Sequence, residues 1–221
     1  MATRVHTYEG QDLEITYDVV RCIHAAACVQ GLPQVFDLKR RPWVDPAQAP
    51  ADQIAQVIER CPTGALHYRR LDDGAAEMPT ALNTVQVDTD GPLYLRGQIR
   101  VVDAEGETVI KDTRLALCRC GASSHKPYCD GSHTEAGFAD AGALGTNGKL
   151  AFGPQEEASG EALTVHVFTN GPLVLQGPAE LHGADDGPLR HGTQCALCRC
   201  GASNNKPFCD GSHKQIGFEA A

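Results

Sequence analysis

The 221-residue chain sets 28 Asp and Glu against 19 Lys and Arg, a formal net charge of −9, which argues against nucleic acid or an anionic membrane as its main partner. Aromatic residues make up only 5% of it, while Gly (23) and Pro (13) are plentiful; that balance favours small, loop-rich modules held by a staple over one large core. The opening residues carry no apolar signal core and no run of about 18 apolar residues occurs anywhere. The ten cysteines are therefore expected in a reducing, cytoplasmic setting, where clustered Cys and His are metal ligands more readily than disulfides.

In chain order, a first module is expected over residues 1–75. Leu13, Ile15 and Tyr17 of LEITY alternate and predict a strand with those three on one face. In PADQIAQVIERC, Ile54, Val57, Ile58 and Cys61 recur at helical spacing. Asp52 is the expected N-cap, and Pro62 should stop that helix just after Cys61. Composition marks DDGAAEMPT (72–80) and GPQEEASG (153–160) as linkers.

Beyond the first linker the chain repeats itself eighty residues on: Gly91-Pro92 with Gly171-Pro172, Gly97 with Gly177, Cys118 with Cys198, Gly137-Phe138 with Gly217-Phe218. Val85, Val87, Leu93 and Leu95 alternate, as do Val165, Val167, Leu173 and Leu175. Period two predicts half-buried strands, with the Gly-Pro turns between them. The repeats are expected over residues 80–140 and 160–221, each a short meander leading into a ligand loop.

Those loops are CRCGASSHKPYCDGSH (118–133) and CRCGASNNKPFCDGSH (198–213). On an extended strand Cys118 and Cys120 leave the same face and can converge on metal. Cys129 and His133 lie close to one helical turn apart. Asp130-Gly131-Ser132 between them should supply a turn and an N-cap, aiming helix N–H groups at the cluster. Two ligands from a strand and two from a turn suit a two-iron unit. Cys₃His is also a common zinc set, though zinc usually prefers C-x₂₋₄-C knuckles to C-x-C; spacing alone leaves both metals open.

The pattern C-x-C-x₂-Ser-x₃-Pro-x-Cys-Asp-Gly-Ser-His resembles the signature of CDGSH iron–sulfur domains, the NEET family. Both copies match at each fixed position: Cys118, Cys120, Ser123, Pro127, Cys129, Asp130, Gly131, Ser132 and His133, then Cys198, Cys200, Ser203, Pro207, Cys209, Asp210, Gly211, Ser212 and His213. The resemblance implies a [2Fe–2S] cluster in each copy. Cys118 and Cys120, or Cys198 and Cys200, would hold the inner iron. Cys129 with His133, or Cys209 with His213, would hold the outer one. In that family two motifs meet across a two-fold axis, and one chain carrying both is expected to form the assembly internally, because each repeat is too small to bury a core alone.

In the first module, RCIHAAAC followed by RCPTGAL resembles a divergent mono-cluster 4Fe–4S ferredoxin segment over residues 10–70. A full motif reads C-x₂-C-x₂-C with a distant Cys-Pro. Here Cys22, Cys28 and Cys61-Pro62 are present, with Ala25 at the middle ligand position. Three thiolates could hold a [3Fe–4S] cluster, His24 or water could complete four ligands, or the module keeps its fold and buried thiols without metal.

The expected class is thus α+β: small β-rich modules, with two repeats sharing a pseudo-two-fold NEET-like β-layer and a ferredoxin-like N-terminal domain. No nucleophile–base pair, phosphate loop or dinucleotide fingerprint occurs, so no substrate-turning enzyme is expected. The expectation is a cytoplasmic, monomeric one-electron carrier serving a redox partner protein, with storage or transfer of [2Fe–2S] to an apo-protein as the alternative and a zinc-stapled binding module as a third reading. Cys195 aligns with Leu115 and reads as a buried strand thiol; His125 aligns with Asn205 and reads as a loop residue. Lys126 and Lys206 recur, either near the cluster or solvated. His6, His24, His67, His166, His182 and His191 read as ordinary surface or packing residues.

Overall fold

Strand β1 (Val5–Glu9) opens the computed structural model, which describes residues 4–145, 161–185, 187 and 189–220. The linker expected at 153–160 lies outside the described residues. The chain divides at Met78/Pro79 into two compact units. Its elements are strand-rich with a few short helices, and among the described residues no helix is long and apolar enough to cross a membrane.

In the first unit, β1, β2 (Leu13–Asp18) and β3 (Leu66–Arg70) form an antiparallel sheet in that order. Leu13 and Ile15 are buried on one face of β2, and Tyr17 meets the Trp43 ring edge-on at 5.0 Å. Helix α1 (Ala27–Gly31) carries Cys28, helix α2 (Ala51–Ile58) covers that face with Ile54, Val57 and Ile58, and Val35, Phe36, Val44 and Leu66 complete the core. Each such side chain contributes roughly 1.5–3 kcal/mol by leaving water.

Two helix-end expectations are corrected. Pro50, not Asp52, occupies the N-cap and offers no side-chain bond; Asp52 lies in the first turn, its Oδ1 2.6 Å from Arg70 Nη1. The helix also ends at Ile58 rather than Cys61. Residues 60 and 61 tighten into i→i+3 bonds, Arg60 N to Val57 O (3.1 Å) and Cys61 N to Ile58 O (2.9 Å). Proline disfavours helical backbone in the residue before it, so Pro62 acts through Cys61.

The second unit contains β4 (Thr84–Val87), β5 (Leu93–Val102) and β6 (Thr108–Leu117) from the first repeat. From the second come β7 (Leu163–Val167), β8 (Leu173–His182) and β9 (Arg190–Leu197). The first half of β5 (93–96) pairs antiparallel with β4, and its second half (99–102) pairs parallel with β7. β8 does the same in exchange: 173–176 pairs with β7, and 180–182 runs parallel to β4. β6 and β9 line the outer edges of β5 and β8. Thr84 opposite Glu180 is matched, eighty residues on, by Thr164 opposite Arg100.

Each long strand changes partner at a glycine. Register shifts fall between Arg96 and Ile99 and between Gln176 and Ala179, spanning Gly97 (φ +130) and Gly177 (φ +114). A Cβ on Gly177 would lie 2.5 Å from Ala162 O, and one on Gly97 2.8 Å from Asn83 Cα. Only glycine allows both that backbone and that approach. The alternating positions of both repeats then enter one core: Val85, Leu93, Leu95, Leu115 and Leu117 with Val165, Leu173, Leu175, Leu181 and Leu197.

Candidate metal centres

β6 ends at Leu117 and delivers Cys118 and Cys120 straight into a loop that folds back on the strand. Cys118 N donates to Pro127 O (2.8 Å) and Cys129 N to Ala116 O (2.9 Å). In the second repeat, after β9, Cys198 N meets Pro207 O (2.7 Å) and Cys209 N meets Ala196 O (2.9 Å). Motif side chains brace the turn. Ser123 Oγ donates to Tyr128 O (2.6 Å) and accepts from His125 N (3.0 Å). Ser203 Oγ does the same for Phe208 O (2.6 Å) and Asn205 N (3.1 Å).

The Asp-Gly-Ser step works differently from the N-cap expected. Gly131 holds the cap position at φ 89 with no side-chain bond, and helix α3 (Ser132–Glu135) is a single turn; Gly211 precedes α4 (Ser212–Gln215) likewise. So short a helix has little dipole to offer the cluster. Asp130 instead ties the loop to itself: Oδ1 accepts from Ser132 N (3.1 Å) and Ser132 Oγ (2.6 Å), and Oδ2 from Ser124 N (2.8 Å). Burial pushes this carboxyl up, but those bonds outweigh it and hold it at about 2. Asp210 stands at about 2 through the same set, led by Ser212 Oγ.

The ligand side chains stand in pairs. Cys118 and Cys120 sulfurs are 3.7 Å apart, as are those of Cys198 and Cys200. Nδ1 of His133 lies 3.3 Å from Cys129 Sγ, and Nδ1 of His213 lies 3.4 Å from Cys209 Sγ. Two metal–sulfur bonds of about 2.3 Å at a tetrahedral angle put their sulfurs about 3.8 Å apart, so each Cys-x-Cys pair already has the bite of one tetrahedral metal. Among the described residues no three Cys, His, Asp or Glu side chains are gathered as a single ion would need.

Within each pair the two thiols shift each other in opposite directions. In the first pair a bond from the Cys118 S–H lowers Cys120 to about 6, while Cys118 is pushed up. In the second pair Cys198 is the lowered member, at about 6, bonded by Cys200. Metal binding would take both sulfurs of a pair as thiolates and release their protons. Burial raises Cys129 to about 11, against the Gly131 N–H 3.4 Å from its sulfur. Cys118 and Cys198 are buried, while Cys120, Cys200, His133 and His213 are partly exposed.

The sequence reading passed over Arg119 and Arg199, the middle residues of the two C-R-C triplets. Each is only 1% exposed. Arg119 donates to Gly91 O (2.9 Å), Asp88 O and Asp140 Oδ1, with Phe138 4.9 Å from its guanidinium. Arg199 donates to Gly171 O (3.1 Å), Phe168 O (2.8 Å) and Ala220 O (3.3 Å), with Phe218 at 5.5 Å. The arginines thus bolt the ligand loop to the Gly-Pro turn between the first two strands of each repeat and to the segment after the short helix. Their recurrence eighty residues apart was the available signal.

The two loops also touch each other. A Cβ on Gly121 (φ +81) would lie 2.6 Å from Cys200 O, and one on Gly201 would strike Cys120 O in return. Lys126 Nζ reaches Ser123 O and sits 6.0 Å over the Phe218 ring; Lys206 Nζ reaches Ser203 O and sits 6.0 Å over Phe138. These lysines therefore bridge the repeats. Cys195 is buried on β9 opposite Leu175, and burial raises it to about 12. His125 lies 3.4 Å from Asp130. His67, His166 and His182 bond Glu77 (3.0 Å), Gln176 (3.0 Å) and Glu180 (3.2 Å), away from both loops.

In the first unit Cys22 and Cys28, six residues apart, and Cys61, far on in sequence, line one cavity of about 290 Å³, together with His24, Ala25, Tyr17, Trp43 and Arg41. Burial raises Cys28 to about 11, opposed by the Val29 N–H, and the charges of Cys61 and Cys22 add to it. Three thiols around one largely apolar cavity fit a thiolate-held iron–sulfur group.

A family model described as "Divergent 4Fe-4S mono-cluster" matches residues 8–71, and one described as "Iron-binding zinc finger CDGSH type" matches 90–134 and again 170–214. The chain belongs to the CDGSH iron–sulfur family, fused to a divergent 4Fe–4S domain. Its CDGSH repeats and N-terminal domain both indicate iron–sulfur cofactors. Two relatives, each named "Uncharacterized protein YjdI", from Escherichia coli K12 and O157:H7, are 37% identical over 62 residues, 28% of this chain and 82% of theirs. No solved structure matches the chain.

Proposed function

We propose that this CDGSH protein is a one-electron carrier holding two [2Fe–2S] clusters, one through Cys118, Cys120, Cys129 and His133, the other through Cys198, Cys200, Cys209 and His213. Bound there, each cluster supplies a single-electron couple. The observation that carries the reading is the duplicated pair geometry: each loop holds two sulfurs 3.7 Å apart and, on the same loop, a sulfur–imidazole pair 3.3–3.4 Å apart. A zinc-stapled module is disfavoured by ligands that come as two separate pairs.

His133 and His213 replace a thiolate with a neutral imidazole. That removes negative charge and eases reduction relative to all-cysteine sites, as in Rieske centres. With Nδ1 beside the cysteine sulfur, Nδ1 is the nitrogen that would bind iron, and exchange of a proton at the other ring nitrogen would couple the electron to protonation. The mirrored register of β4 on β8 and β7 on β5 supports a NEET-like, pseudo-two-fold β-layer within one chain. The chain would act as a monomer with an internal pseudo-dimer, in the cytoplasm, delivering electrons to a protein partner and turning over no substrate itself. In the ferredoxin-like N-terminal domain, Cys22, Cys28 and Cys61 would hold a third, [3Fe–4S]-type centre.

Partial exposure of His133 and His213 also favours a second reading, transfer of [2Fe–2S] to an apo-protein from the looser outer pair. A visible spectrum with iron, zinc and sulfide analysis tests the assignment: about four irons per chain for the repeats alone, about seven with a three-iron centre. A colourless zinc protein overturns it. Incubation with an apo-ferredoxin separates the two roles, since rapid loss of cluster to the acceptor favours transfer and redox cycling without loss favours electron carriage.

A further inference from the structure

We propose that the N-terminal domain carries an exchangeable iron position at the corner of its cavity lined by Ala25. The inference rests on the reading of Cys22, Cys28 and Cys61 as holders of an iron–sulfur group. All three thiols and Ala25 line the same cavity. Ala25 stands between His24 (φ 58) and Ala26 (φ 62), two non-glycine residues in the left-handed region, a backbone that persists only where surroundings impose it. The thiols are partly buried, while Ala25 is exposed. A cubane held there has thiolates for three irons and a methyl group on its water-facing side for the fourth.

His24 is the residue that could fill the corner, and its contacts argue against it. In the repeats, each ligating imidazole lies 3.3–3.4 Å from its cysteine sulfur. Among the described residues, His24 makes no such contact with Cys22, Cys28 or Cys61, and its side chain is exposed. The fourth iron is therefore completed from solution by a small anion such as hydroxide or a thiolate. Arg41, also on the cavity wall, adds a positive charge to the same cavity.

An iron without a protein bond is the one that leaves. Under a mild one-electron oxidant the four-iron group gives one electron to the oxidant and one Fe²⁺ to solution, keeping four sulfides and three cysteine bonds. Fe²⁺ and one electron reverse the step. The domain thereby reads ferrous iron and oxidant, whereas the repeats, with four protein ligands each, do not.

The test is electron paramagnetic resonance of the full chain, reconstituted anaerobically and oxidised with one equivalent of ferricyanide. Oxidised [2Fe–2S] centres are silent, so a three-iron signal reports the N-terminal domain alone. Wild type is expected to develop about one such spin per chain with release of about one Fe²⁺, which is bound again when Fe²⁺ and dithionite are added together, and Ala25→Cys to develop none while retaining about eight irons. Iron above the repeats' four with no signal in wild type, or a signal that arises only in His24→Ala, overturns the inference. Iron at the repeats' four alone overturns the three-cysteine reading, and the exchangeable corner with it.

Discussion

In the first unit three cysteines reach one cavity from a loop, from the short helix α1 and from the turn after α2, brought together by a core of Ile54, Phe36, Val44 and Leu66. In the second unit each pair of ligands is set within a few residues of chain, and what comes from afar is the support behind it: Gly121 against Cys200, Gly201 against Cys120, and each loop lysine over the other repeat's phenylalanine. The first site is long-range in its ligands, the second in its scaffold. A core mutation should therefore erase the first site. The second should be more sensitive to changes at the contact between loops.

The largest expected effect lies in the first unit. Phe36 is 1% exposed in its core, and Phe36→Ala should cost about 3–5 kcal/mol, a large share of the roughly 5–15 kcal/mol of a small domain. A thermal melt with iron analysis should show loss of N-terminal iron at temperatures where the repeats keep their colour. Simultaneous loss of both would break the contrast.

Next comes the contact between loops. Gly121→Ala places a methyl 2.6 Å from Cys200 O at a φ of +81, adding steric clash to the roughly 1–2 kcal/mol of the left-handed backbone. It should lower iron content in both repeats. Gly131→Ala suffers the backbone strain alone, since nothing lies within 4 Å of its Cβ, and should affect only the first. Iron content of the two variants, with amide exchange around Cys200, decides the matter; equal, one-sided losses would deny the brace.

His133→Cys should act on rates more than on stability. Imidazole binds metal only when its ligating nitrogen is unprotonated, so acid competes for that atom and the cluster is lost as pH falls. A thiolate in its place should slow acid bleaching at that site and lower its potential, read by stopped-flow absorbance and redox titration. Unchanged decay would count against histidine ligation.

The smallest effect belongs to Cys195→Leu. The first repeat already has Leu115 there, equally buried, and a swap of similar apolar groups costs under about 1.5 kcal/mol. Iron content and spectrum should not change; a shifted spectrum would give this thiol a role beyond packing.

Much of this was legible in the chain itself. Alternation in Val85/Val87 and Leu93/Leu95 predicts strands because a half-buried sheet has period two, and β4 and β5 contain those residues. Helix ends were less legible: Asp52 has the chemistry of an N-cap, yet Pro50 takes the cap and Arg70, eighteen residues on, takes the aspartate. Arg119 and Arg199 reach across 21 to 31 residues of chain to their partners, a distance at which one letter in a sequence carries no direction.

By itself the sequence determined which Cys and His side chains stand in pairs, since spacing of two or four residues is geometry that local backbone enforces. Only the tertiary structure decided that β5 and β8 trade partners at Gly97 and Gly177, that the two ligand loops lean on each other, and that Cys61 comes to share a cavity with Cys22 and Cys28. The reason is range. Spacing acts through bonds a few residues long, whereas strand exchange and cavity closure depend on which apolar surfaces, dozens of residues apart, leave water together.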